Sequence, residues 1–200
     1  MPTGRMLLPI VLLLGTAAPA NAMLIFNELA EGDLSSNPLN PTSLNVDLGS
    51  NFIDGSVDAR DRDYFTLRLP PGSRLAAIIL LASSGSDATF LSFQAGESFT
   101  EPPAGADLRN LLGYASFFHT DIGTDLLQTL GSASEAIGFK ESPSGNTFTF
   151  WVEQSNPAPA NYKFEFVIAS DIPAPPALLA LVGMGFGWAR RKRTSAQCIA

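Results

Sequence analysis

Alternation of apolar and polar positions with a period of two dominates the middle of the chain. In Asp63 to Leu69, Phe65, Leu67 and Leu69 fall on one side and Tyr64, Thr66 and Arg68 on the other, the pattern of a half-buried strand. Pro70-Pro71-Gly72-Ser73 turns the chain. The nearly continuous apolar run from Arg74 to Ala82 then predicts a strand buried on both faces. Phe148, Phe150 and Val152 alternate with Thr147, Thr149, Trp151 and Glu153, and Tyr162, Phe164, Phe166 and Ile168 alternate with Lys163, Glu165 and Val167. Asn156 to Asn161 is expected to join these two strands as a hairpin. Weaker strands are expected at 43–48, 52–57, 89–93, 111–118 and 135–139. Short strands, turn-rich connections and the lack of a long amphipathic pattern predict an all-β fold, an antiparallel β-sandwich.

Both ends of the chain depart from this pattern. Arg5, the apolar run Leu7 to Leu14 and the small residues ending Ala20-Asn21-Ala22 form a secretory signal peptide, with cleavage expected after Ala22. At the other end, Ile172-Pro173-Ala174-Pro175 precedes an apolar stretch, 176–189, and then Arg190-Arg191-Lys192-Arg193. As a helix, 176–189 would span about 21 Å, a short transmembrane helix beside a hydrocarbon core of about 30 Å. The four cations would stay cytoplasmic, which puts the intervening segment outside the inner membrane. The chain thus divides into a signal peptide (1–22), an exported β-sandwich (23–171) and a C-terminal tail (172–200).

The tail's order of Pro-x-Pro, glycine-containing apolar helix and basic cluster resembles the PEP-CTERM sorting tail of Gram-negative bacteria that produce exopolysaccharide. Here Pro173-Ala174-Pro175 stands where that family has Pro-Glu-Pro. The resemblance implies an exosortase-like membrane peptidase as a partner, transient anchoring in the inner membrane, and delivery to the cell surface or extracellular matrix. It also makes exopolysaccharide a candidate partner. The Gly-x-Gly-x-Gly at Gly183 to Gly187 lacks the strand and βαβ unit that a nucleotide-binding loop requires.

Gly55-Ser56-Val57-Asp58, Asp61-Arg62-Asp63-Tyr64-Phe65-Thr66-Leu67, Pro71-Gly72 and the closing strands at 145–148 and 161–164 resemble a second family. This is the bacterial pre-peptidase C-terminal domain, a jelly-roll-like β-sandwich attached to secreted peptidases. The resemblance implies an accessory or binding role, and some members of that family bind calcium near their N-terminal linker.

Charge narrows the functional classes. Five of the 12 cations lie in the two ends, leaving seven against all 19 acids in the exported segment. Such a surface repels nucleic acid and other polyanions and suits divalent cations. One cysteine and one histidine exclude an intrachain disulfide and a Cys/His zinc centre. His119 has Asp121 nearby but no Gly-x-Ser-x-Gly elbow accompanies it, so the reading is a structural or surface histidine and a protein that is not an enzyme. Two other sets of residues are candidates for binding. Glu28, Glu31 and Asp33 cluster before the sandwich, and Asp58, Asp61 and Asp63 crowd a turn, with Asp54 close by. These carboxylates are calcium candidates, weighed against a solvated acidic turn. Trp151 and Tyr64 fall on the polar side of their strands, where they either stack on a sugar or are covered by the long middle segment. The expected function is a structural or binding role at the cell surface or in the matrix. The alternative is a carbohydrate- or protein-binding accessory module, with a hydrolase as the remaining rival.

Overall fold

The computed structural model describes residues 22–85 and 87–171. Along the chain these form β1 (Ala22–Asn27), α1 (Glu28–Glu31), β2 (Thr42–Asn45), β3 (Gly49–Val57), β4 (Asp63–Arg68), β5 (Ser73–Ser83) and β6 (Thr89–Ala95). There follow β7 (Gly113–Phe117), α2 (Leu127–Gly131), β8 (Thr147–Glu153) and β9 (Ala160–Ser170). The strands make two sheets, β1-β3-β9-β5 and β2-β4-β8-β6-β7. Pairing is antiparallel within each sheet except at one edge, where β1 runs parallel to β3 and β2 parallel to β4.

Alternation explains how the two sheets meet. Phe65 and Leu67 of β4, Phe148, Phe150 and Val152 of β8, and Leu91 and Phe93 of β6 all turn inward and are fully buried. Ile53 and Val57 of β3, and Tyr162, Phe164, Phe166 and Ile168 of β9, meet them from the other sheet in one core. Phe150 lies flat on Phe65 and Phe93 at 5.2 Å and takes the edge of Phe166 at 5.2 Å. Burying each such side chain is worth about 1.5–3 kcal/mol, so this aromatic seam is a large part of what holds the sheets together.

Several expectations are corrected. The segment Arg74 to Ala82 does form β5, but it alternates, with Leu75, Ile78 and Leu80 buried and Arg74 exposed, so only one face enters the core. The strands β8 and β9 are not a hairpin, because they belong to different sheets and Asn156 to Asn161 crosses between them. No strand forms at 135–139. Glu135 and Gly138 both have φ of 70°, which breaks extended backbone, and Phe139 instead packs its edge against Phe93. Sequence alternation also missed β1, whose first residue is Ala22 itself.

The middle segment has two separate jobs. Residues 96–112 cross the outer face of the five-stranded sheet, where Phe99 and Leu111 cover Tyr64 and Trp151. Farther on, Gly123, Thr124 and Leu126 hydrogen-bond to the free edge of β5, and Leu127 and Leu130 of α2 enter the core. An edge strand that would otherwise offer unpaired backbone groups is thereby closed. Among the described residues no helix is long and apolar enough to cross a membrane. Ala20, the motif Pro173, Ala174 and Pro175, and the basic cluster Arg190, Arg191, Lys192 and Arg193 lie outside the described residues.

Candidate metal centre

The site is assembled where β1 ends. Asn27 caps the single turn of α1 by accepting from the Leu29 N–H at 2.9 Å, and its own N–H donates to Glu31 Oε1 at 3.1 Å. That turn aims Glu28 at the neighbouring sheet strand. Glu28 Oε2 accepts from the Ser56 N–H at 2.6 Å and Ser56 Oγ at 3.1 Å, while Oε1 accepts from the Leu34 N–H at 3.2 Å.

Asp63 opens β4 and is fully buried. Its Oδ2 accepts from the Tyr162 hydroxyl at 2.5 Å, and its Oδ1 has no hydrogen-bond partner among the described residues. Tyr162 reaches this position because its cross-strand neighbour is Gly55, where a Cβ would sit only 2.6 Å from the hydroxyl oxygen. Glu28, Asp33 and Asp63 each bring one carboxylate oxygen to within 4.8 Å of the others. Calcium binds oxygen at 2.3–2.6 Å, so two oxygens on one ion stand at most about 5 Å apart, and this triangle fits. Glu28 and Asp33 also line a cleft of about 520 Å³ with Asn27, Asp54, Ser56 and Asn161, among others, so two of the three carboxylates face open space while Asp63 stays buried.

Lys163 pairs with Asp54 at the cleft, but among the described residues no cation contributes to the shifts of Glu28, Asp61 and Asp63. Burial, and then the charges of Glu28, Asp61 and Asp33, push Asp63 up to about 9 despite the opposing Tyr162 hydrogen bond. Asp61 is pushed up to about 6 by burial and by Asp33, Glu28 and Asp58. Burial also raises Glu28, against its hydrogen bonds to Leu34 and Ser56. A divalent cation would reverse all three effects.

The six carboxylates singled out from sequence therefore divide. Glu28, Asp33 and Asp63 converge, and Asp61 sits near enough to feel their charge. Glu31 is occupied by the Asn27 N–H, and Asp58 Oδ1 caps its own turn by accepting from the Arg60 and Asp61 N–H groups. Sequence reasoning missed Tyr162 and Ser56 as partners of this site. Tyr162 did carry a signal, a hydroxyl on a strand face otherwise made of Phe164, Phe166 and Ile168.

Of the two readings of Trp151 and Tyr64, stacking on a sugar from an open face is corrected, and cover by the middle segment is what the structure has. Trp151 is only 3% exposed and Tyr64 is fully buried, because Phe99 packs its edge against Trp151 at 5.5 Å and the two residues stack on each other at 6.0 Å. They form a second, smaller core. His119 is exposed in a turn after β7, and Asp121 accepts from the Phe118 N–H at 2.8 Å, closing that turn. No protein-family model matches the chain, and no curated protein matches it in sequence.

Proposed function

We propose that the chain is an exported β-sandwich of the cell surface or extracellular matrix, structural or binding in role, whose N-terminal strand is clasped to the body by a calcium ion. The observation that carries this reading is Asp63, a buried carboxylate with one oxygen on Tyr162 and the other without a partner among the described residues, facing two further carboxylates. Calcium held by Glu28, Asp33 and Asp63 would satisfy that oxygen and offset the repulsion among the three.

Export rests on the terminal segments. Ala20 and Ala22 suit signal-peptide cleavage, and the Pro173-Ala174-Pro175 tail with its basic cluster suits an exosortase-like sorting system. Cleavage after Ala22 removes one residue of β1 and keeps Met23 to Asn27, so the clasped strand survives maturation. Extracellular fluid, with calcium far above cytosolic levels, supports a site of moderate affinity. The acidic charge of the exported segment supports a structural or binding role.

Two measurements test this. Intact mass and fractionation of the native protein should give a species that begins near Met23, lacks Arg190 to Arg193 and lies outside the inner membrane. Retention of the basic cluster in the inner membrane would refute sorting. Calcium titration followed by calorimetry should show saturable binding that magnesium at equal concentration does not reproduce, and no calcium heat would refute the clasp.

A further inference from the structure

The strap formed by 96–112 covers only part of the outer face of the five-stranded sheet. The row of cross-strand neighbours Trp151, Ser92 and Tyr114 is largely beneath it, whereas the next row, Glu153, Phe90 and Ser116, is left open. A groove of about 420 Å³ follows that second row, lined by Ala59, Arg62, Ala88, Phe90, Ser116 and Glu153 among others. Phe90 is half-buried and held by two neighbours, its ring steeply inclined to that of Trp151 at 5.1 Å between centroids and stacked on Tyr114 at 6.2 Å. At the rim, Arg62 Nε donates to Glu153 Oε2 at 2.6 Å, which leaves the two terminal guanidinium nitrogens and Glu153 Oε1 for other partners.

We infer that this groove binds a neutral hexose oligosaccharide. A fixed aromatic face takes the C–H side of a pyranose ring, and a paired carboxylate and guanidinium beside an exposed hydroxyl can donate to and accept from adjacent sugar hydroxyls. An apolar ligand would strip water from Arg62 and Glu153 without replacing it. A polyanion meets a segment with seven cations against 19 acids. The inference rests on the binding-module reading and names its ligand class, with Phe90, Arg62 and Glu153 in the place that Trp151 and Tyr64 do not fill.

The test is isothermal titration of the full chain, held in a detergent with no sugar headgroup, with cellohexaose, mannohexaose and an alginate hexamer at up to about 10 mM. At least one neutral hexamer should bind saturably with a Kd of about 0.1–1 mM, and the alginate should not. Ser116→Arg, at an exposed position that fills the groove, and Glu153→Gln should each weaken binding at least tenfold without changing the melting temperature by more than a degree or so. Failure of both neutral probes to bind, binding of alginate alone, or undiminished binding by Ser116→Arg overturns the inference. The calcium-induced rise in melting temperature, read on the same samples, separates the two proposals. Calcium stabilisation without sugar binding overturns the groove alone, and sugar binding without calcium stabilisation overturns the clasp alone.

Discussion

Replacing Asp63 by Asn separates the cost of a buried carboxyl from its use as a ligand. Without metal, Asp63 is held near 9 and is therefore protonated at neutral pH, so Asn is close to it in shape and charge. The Asn carbonyl oxygen still accepts from Tyr162, but at neutral pH the unfolded Asp63 ionises whereas an unfolded Asn does not, so in EGTA the variant should be the more stable of the two by about a few kcal/mol. Calcium changes the comparison. With a Kd of about 0.1 mM, as in extracellular calcium modules, and about 10 mM calcium, the ion is at about 100 times Kd and stabilises the wild type by about 2.7 kcal/mol. For a domain of about 150 residues that is a rise in melting temperature of about 5–10 °C. Asp63→Asn removes one of three charged ligands, and the rise should fall below about 2 °C. Differential scanning calorimetry in calcium, magnesium and EGTA reads both numbers. A variant that keeps the full calcium increment refutes Asp63 as a ligand. One that fails to fold in EGTA refutes the argument that the metal-free carboxyl is neutral.

The pH dependence has a definite sign. Between 3.8 and about 9 the native metal-free protein holds the Asp63 proton more tightly than the unfolded chain does. That contribution is complete below 3.8 and is lost as pH rises toward about 9, so in EGTA the wild type should lose stability relative to Asp63→Asn over this range. Calcium must displace the proton, so its increment should grow with pH over the same window, and thermal melts from pH 5 to 9 with and without the ion check both slopes. Gly55→Ala places a methyl 2.6 Å from the Tyr162 hydroxyl and should cost about 1–3 kcal/mol by melting while also reducing the calcium increment. Trp151→Ala should cost about 3–5 kcal/mol, as for a core residue, whereas exposed His119→Ala should stay within about 0.5 kcal/mol and leave any sugar binding intact, which parallel melts and titrations would show.

What was legible in the sequence is what depends on one strand at a time. Phe65, Leu67, Phe148, Phe150, Phe164 and Phe166 announce their inward faces by period alone, and all six are buried in one core. Which sheet a strand joins depends on another part of the chain. A short link such as Asn156 to Asn161 reads the same whether it closes a hairpin or crosses between sheets, and here it crosses. Tyr64 and Trp151 occupy the polar side of their strands and are buried only because Phe99 and Leu111, a long way off in sequence, lie over them. The candidate site follows the same division. Its acids are dense enough at 28–33 and 58–63 to be noticed, but density did not separate Glu28, Asp33 and Asp63 from Glu31 and Asp58, whose oxygens cap nearby backbone. What separates them is the parallel register of β1 on β3, with Asn27 opposite Asp54, which carries α1 over Ser56. The second requirement is a glycine at 55 that lets Tyr162 reach Asp63 from the third strand. A strand laid parallel at a sheet edge is held by its ladder on one side only, and Glu28 adds a second attachment just past its end. An ion shared by Glu28 and Asp63 would join that attachment to the opposite sheet, because Asp63 belongs to β4 and Ser56 to β3. The cation would therefore tie both layers of the sandwich and its N-terminal strand at one point, so metal removal should loosen β1 before it disturbs the aromatic seam.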